Sequence, residues 1–104
     1  MNIPEIIKEL NSLIKEKYSD FKGSYLYGSQ AKGDFKEDSD IDIIALFDSV
    51  DRDKEMEIYG IVADLDYKYD IFISLLTYTP EKLKRNPIFH NEVVNKGIYY
   101  ATAV

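Results

Sequence analysis

The residues best suited to chemistry in this chain are Gly28 and Ser29, followed by Asp40 and Asp42. Gly28 and Gly33 bracket Ser29-Gln30-Ala31-Lys32, and after a short acidic stretch comes Ser39-Asp40-Ile41-Asp42. A polyphosphate has to be approached by backbone N–H groups without side-chain obstruction, which favours glycine. Its charge has to be bridged by divalent cations held on carboxylates. Both needs are met between residues 28 and 42, so the pattern points to metal-dependent handling of a nucleoside triphosphate.

Two better-known motifs fail on the same residues. A P-loop requires Lys and then Ser or Thr after its last glycine, and Gly33 is followed by Asp34 and Phe35. An EF-hand starting at Asp38 requires Gly at its sixth position and Glu at its twelfth, where this chain has Ile43 and Ser49.

Gly28-Ser29, ten intervening residues and Asp40-x-Asp42 instead resemble the signature of the nucleotidyltransferase superfamily that includes the DNA polymerase beta-like enzymes. The chain is similar to the shortest members, the minimal nucleotidyltransferases. Tyr25-Leu26-Tyr27 and Ile43-Ile44-Ala45-Leu46 look like the strands that flank the signature in that family. The resemblance is good over residues 22–75 and loose elsewhere.

The resemblance implies an α/β (α+β) nucleotidyltransferase fold, a small mixed sheet of about four strands flanked by helices, with residues 1–104 forming one domain. It supplies a third carboxylate, Asp70, on a strand beside the Asp-x-Asp strand, and two Mg2+ ions shared by Asp40, Asp42 and Asp70, with ATP as substrate. Gly28, Ser29 and Lys32 would hold the β- and γ-phosphates while an acceptor hydroxyl attacks the α-phosphate, pyrophosphate leaves and Asp70 accepts the proton. Many relatives carry Arg at positions 30 and 32, where this chain has Gln30 and Lys32, which leaves one cation fewer beside the leaving group.

Minimal nucleotidyltransferases are commonly antitoxins paired with HEPN-domain ribonuclease toxins. The resemblance therefore further implies transfer of AMP to a partner hydroxyl, a tyrosine's, within a hetero-oligomer. AMP would place negative charge where a ribonuclease must bind RNA phosphates. Two alternatives stand beside this: an antitoxin that neutralises by binding alone, and a subunit that nucleotidylates a small molecule of the aminoglycoside type.

Composition narrows the classes. The 104 residues give room for one modest core. Without cysteine there is neither a disulfide nor a thiolate zinc site, and a single His90 excludes a histidine cluster, which leaves hard, oxygen-ligated cations. A net charge of -6 argues against stable binding of a nucleic acid through many phosphates. No apolar run approaches a bilayer span and Met1-Asn2-Ile3-Pro4-Glu5 lacks a basic leader, so the expected location is cytoplasmic, without membrane association. Asp34, Glu37 and Asp38 read as a solvated loop, whereas Asp40 and Asp42 read as a cation site.

The elements that must position these residues follow from periodicity. Asn2 caps a helix over 3–18 whose Ile3, Ile6, Ile7, Leu10, Leu13 and Ile14 recur at helical spacing. Gly23 precedes a strand over 24–27 that Gly28 ends, and a short helix begins within 29–33. The Ile-rich run 40–47 reads as a central strand with Asp40 and Asp42 on one face. A helix over 52–68 carries Ile58, Val62, Leu65 and Tyr69 as its stripe. Asp64 and Asp66 diverge on that helix and read as surface residues. Asp70 opens an apolar strand, Pro80 and Pro87 start two short helices ending before Gly97, and residues 98–101 form the last strand. The tyrosines are explained by strand packing and His90 by a surface or capping role.

Overall fold

Asn2 begins the first helix as its sequence requires: the side-chain carbonyl accepts the Glu5 N–H at 3.2 Å. Helix α1 (Ile3–Lys17) buries Ile6, Ile7, Leu10 and Ile14 on one stripe. The computed structural model describes residues 2–33 and 40–102 of the chain. The acidic residues Asp34, Glu37 and Asp38, read above as a solvated loop, lie outside the described residues.

Four strands follow: β1 (Phe21–Tyr27), β2 (Ile41–Phe47), β3 (Ile73–Tyr78) and β4 (Ile98–Tyr100). They form one mixed sheet in the order β3-β2-β1-β4, with β1 antiparallel to both β2 and β4, and β2 parallel to β3. This is the small mixed sheet expected from the sequence. The parallel pair needs a crossover, which helix α2 (Arg52–Tyr69) supplies. Asp51 caps that helix by accepting the Lys54 N–H at 2.8 Å.

The sheet is covered on both faces. Against α1 and the α2 residues Ile58, Val62 and Leu65 pack Ile41, Ile43, Ala45 and Phe47 of β2, with Ile73 and Leu75 of β3. On the opposite face, Ile44 and Leu46 meet Leu83 of α3 (Pro80–Lys84), Phe89 of α4 (Pro87–His90) and Val93 of the π-helical turn Asn91–Asn95. Both faces of β2 are apolar, which explains its unbroken Ile-rich sequence. Asp42 interrupts that pattern near the start of the strand and is partly buried there.

Three boundaries differ from the sequence reading. Strand β1 starts at Phe21, so Gly23 lies inside it, at a register shift relative to β2 and with φ +108°. A Cβ there would come within 2.8 Å of the Tyr100 carbonyl, so only glycine lets β4 approach. The short helix expected within 29–33 is a single 3-10 turn, Gly28–Gln30. The third difference concerns Asp66 and Asp70. Strand β3 begins at Ile73, later than expected, because the α2 C-terminus is built around Asp66. The Asp66 carbonyl accepts the Ile71 N–H at 3.1 Å and its carboxylate accepts the Ile73 N–H at 2.9 Å. Asp66 is thus a partly buried anchor rather than a surface residue. Asp70 is the left-handed C-cap of α2, at φ 53° and ψ 54°, and not the first residue of a strand.

The remaining elements agree with the sequence. Thr79 and Asn86 cap the two proline-initiated helices, accepting the Lys82 and Phe89 N–H groups at 3.2 Å each. Tyr25 and Tyr99 stack across β1 and β4 with ring centroids 4.9 Å apart. Among the described residues, no helix is long and apolar enough to cross a membrane.

Candidate active site

The β1–β2 pairing brings the two halves of the sequence motif together. Tyr27, the last residue of β1, pairs with Asp42, so the chain leaves β1 at Gly28 directly beside the Asp42 side chain. Gly28 has φ +74°, and a Cβ built on it would lie 2.5 Å from Asp42 Oδ2. The glycine is therefore required twice, for its backbone conformation and for the space that the carboxylate occupies. This contact makes a cradle with a carboxylate on one wall and main chain on the other.

Asp40 directly precedes β2 and is exposed, and Asp42 lies two residues on and is partly buried. Strand geometry sends both side chains to the same face, opposite to Ile41 and Ile43. Burial, with the like charge of Asp40 second, raises the Asp42 carboxyl above its ordinary range. Tyr27 beside it is pushed up to about 12 by burial first, then by the Asp42 charge and by Tyr78. Two crowded carboxylates at a glycine turn form a donor set that suits a hard divalent cation, which would relieve the repulsion between them.

The other sequence-selected residues are distributed differently. Ser29 follows Gly28 in the 3-10 turn and is partly buried, its carbonyl accepting the Lys32 N–H at 3.2 Å. Lys32 is exposed, with Nζ 3.8 Å from Glu92 Oε2, and Glu92 also takes Lys96 at 3.2 Å. Gln30, at the position where the resemblance leads one to look for Arg, is only 5% exposed, so its side chain is turned into the fold. Asp70 is exposed at the α2 cap, outside β3. Among the described residues, no group of three His, Cys, Asp or Glu side chains is gathered closely enough to hold a metal ion.

The residues that sequence reasoning missed are those that act by position. Ser74 of β3 pairs with Asp42 in the parallel register, and Tyr27 flanks Asp42 on the other side. Glu92 holds Lys32 from a helical turn sixty residues away in sequence. Neither register nor a long-range ion pair leaves a local pattern that could have been read.

A mixed sheet with a Gly-Ser turn facing an Asp-x-Asp strand defines a nucleotidyl-transfer fold. Residues 8–98 match the model of the polymerase beta nucleotidyltransferase family, and the chain belongs to that family as a nucleotidyltransferase of the minimal type. It is 36% identical over 103 residues to the candidate protein adenylyltransferase MJ0141 of Methanocaldococcus jannaschii, covering 94% of this chain and 98% of that one. A second candidate protein adenylyltransferase of the same organism, MJ0604, is 35% identical over 100 residues, covering 93% and 96% of the two chains. Among solved structures, a toxin–antitoxin complex with AMP-PNP is similar at a TM-score of 0.69 and 22% identity, over 97% of this chain and 75% of that one. The complex of tri-AMPylated Shewanella oneidensis HEPN toxin with MNT antitoxin is similar at a TM-score of 0.59 and 17% identity, over 96% and 74%. These two likenesses speak to the fold.

Proposed function

We propose that this chain transfers AMP from ATP to a hydroxyl, a tyrosine's, on a partner of the HEPN toxin kind, and so acts as its antitoxin in a hetero-oligomer. The observation that carries this reading is the contact of Asp42 with Gly28, which joins a carboxylate site to a side-chain-free turn. The names of the curated relatives, protein adenylyltransferases, support the same reaction. The AMP-PNP complex and the AMPylated toxin complex among the structural neighbours support the nucleotide and the partner.

In this reading Asp40 and Asp42 hold the Mg2+ ions, and Gly28 and Ser29 let the β- and γ-phosphates approach the main chain. Bound there, the cations would neutralise the triphosphate and lower the pKa of the acceptor hydroxyl. The acceptor hydroxyl gives its proton to a carboxylate, Asp70 in the family's pattern, and its oxygen bonds to the α-phosphorus while the bond from that phosphorus to the bridging oxygen breaks and pyrophosphate leaves with its electron pair. Lys32, once released from Glu92, is the cation nearest in sequence to the turn and offsets charge on the leaving group.

A second reading, neutralisation by binding alone, is favoured by one observation: among the described residues, no group of three His, Cys, Asp or Glu side chains is gathered for a metal ion. One experiment separates the two. The chain is incubated with Mg2+, α-labelled ATP and the protein encoded beside it, with Asp40→Asn as control. Label on the partner that disappears in the control establishes AMP transfer. A stable complex that carries no label, with the toxin silenced equally by both forms, gives the case to binding.

A further inference from the structure

Helix α2 carries two apolar stripes, and the fold uses one of them. Ile58, Val62 and Leu65 are buried against the sheet. On the other side of the helix Met56, Gly60, Ala63 and Tyr67 recur at helical spacing, and all four face solvent. Met56 is 60% exposed and Tyr67 92%. The outer face of a surface helix is ordinarily polar, and this one is apolar along its length. Glycine inside a helix weakens it relative to alanine, yet a Cβ built on Gly60 meets nothing within 4 Å. Packing within this chain therefore does not require Gly60. Small residues between two large ones let a second helix come close, because the side chains at the contact set the distance between helix axes.

One flank of the stripe is acidic, with Asp53, Glu57 and Asp64 all exposed. Glu57 accepts from the Tyr18 hydroxyl and lies 3.7 Å from Lys17 Nζ. The Asp53 and Asp64 carboxylates have no hydrogen bond or ion pair among the described residues. An apolar centre of methionine and tyrosine beside a charged rim has the anatomy of a protein interface. Resting on the reading of this chain as the antitoxin of a partner protein, we infer that the outer face of α2 is where that partner docks. The partner presents a helix with an apolar stripe flanked by lysine or arginine. A second copy of this chain would bring the same carboxylates and a net charge of -6 against them, and anionic lipid would be repelled in the same way. Helix α2 covers the face of the sheet opposite to Tyr27 and Asp42, so a partner held there leaves the cradle open to nucleotide.

The test uses the whole chain and the protein encoded beside it. Calorimetric titration at two salt concentrations reads the complex, and melting curves read the free chain. Gly60→Gln is expected to raise the melting temperature of the free chain, since a glycine leaves a helix, and to weaken the complex roughly tenfold. A role confined to folding would not move the two in those directions. Tyr67→Ser is expected to weaken the complex roughly tenfold with the melting temperature unchanged. Asp53→Asn combined with Asp64→Asn is expected to weaken it about fivefold and to flatten its salt dependence. The melting shift given by Mg2+ with ATP should be the same in every variant. If Gly60→Gln and Tyr67→Ser bind as tightly as the wild type, the inference is overturned and the antitoxin reading stands. A wild-type chain that binds no partner overturns both. A free chain that sediments as a dimer and turns monomeric on Tyr67→Ser gives the face to a second copy, which also overturns the inference.

Discussion

The carboxylate of Asp42 rests against the Cα of Gly28, leaving no room for even a methyl group between the strand and the turn. Two motif halves separated by thirteen residues in sequence are thereby one physical object, and a change on either half is felt on the other.

Replacing Gly28 with alanine tests that coupling. An L-residue at φ +74° is strained by about 1–2 kcal/mol, and the new Cβ must also displace Asp42 Oδ2. The expected outcome is a melting temperature lower by roughly 4–8 °C for each kcal/mol lost. AMP transfer should fall further than the unfolded fraction explains. Calorimetry beside a labelled-ATP assay at a temperature where the variant is folded measures both, and an active Gly28→Ala enzyme would contradict the cradle.

Asp42 gives a pH dependence with a definite sign. Its folded pKa lies above the ordinary 3.8, because of burial first and Asp40 second, so the ionised form opposes folding. Asp42→Asn should therefore stabilise the metal-free protein at neutral pH. The gain should shrink as pH falls through the raised pKa and vanish below 3.8, where the carboxyl is neutral in both states. Melting curves of both forms across that window check it; an Asp42→Asn form less stable at neutral pH would rule it out. AMP transfer should decline through the same raised pKa as protonation removes the metal ligand.

Adding Mg2+ and ATP together should raise the melting temperature. A ligand at about a hundred times its dissociation constant stabilises by roughly 2.7 kcal/mol, and either component alone should do less. Asp40→Asn should remove most of the shift. A wild-type protein that does not respond to millimolar Mg2+ with ATP lacks a competent site.

Away from the site, Lys54 is the charge on which the α2 N-terminus depends. Its Nζ is held by both Asp20 oxygens at 3.1 and 2.9 Å and by the Ser49 carbonyl at 2.8 Å. It also sits over the Tyr18 and Phe47 rings at 5.0 and 4.8 Å. Burial pushes Asp20 up, but the Lys54 ammonium and the Ser49 N–H outweigh it and hold the net value below the ordinary 3.8. That stabilisation is present above 3.8 and is lost as pH falls through the lowered value. Lys54→Ala should cost about 2–3 kcal/mol, less than for a fully buried pair because Asp20 is partly solvated. Urea unfolding at neutral pH measures this, with the labelled-ATP activity per folded molecule unchanged.

Asn11 is the corresponding link for the C-terminal strand. Nδ2 donates to the Tyr100 and Ala101 carbonyls at 3.2 and 3.3 Å, and Oδ1 accepts from the buried Ser24 hydroxyl at 2.7 Å. Asn11→Ala strands these groups and should destabilise by about 2 kcal/mol. Amide hydrogen exchange should then show faster opening of β4 than of β2, and uniform protection would refute the link.

The sequence alone determined the elements and the motif. Local signals did this: a capping asparagine and an apolar stripe for α1, an unbroken Ile-rich run for β2, prolines for the two short helices, and the Gly-Ser and Asp-x-Asp spacing for the site. Each depends on residues close together in the chain, where propensity and period carry the information. Tertiary structure alone decided which residue stands opposite which. Asp66 extends the α2 end by holding the Ile71 and Ile73 N–H groups, so β3 starts at Ile73, later than expected, and Ser74 pairs with Asp42. Strand register is set by packing between elements and by hydrogen bonds that reach across turns, and a shift of one residue turns a side chain to the other face. That is why Asp40 and Asp42 were legible from their spacing, while Ser74, Glu92 and the anchoring role of Asp66 emerged only once the sheet was assembled.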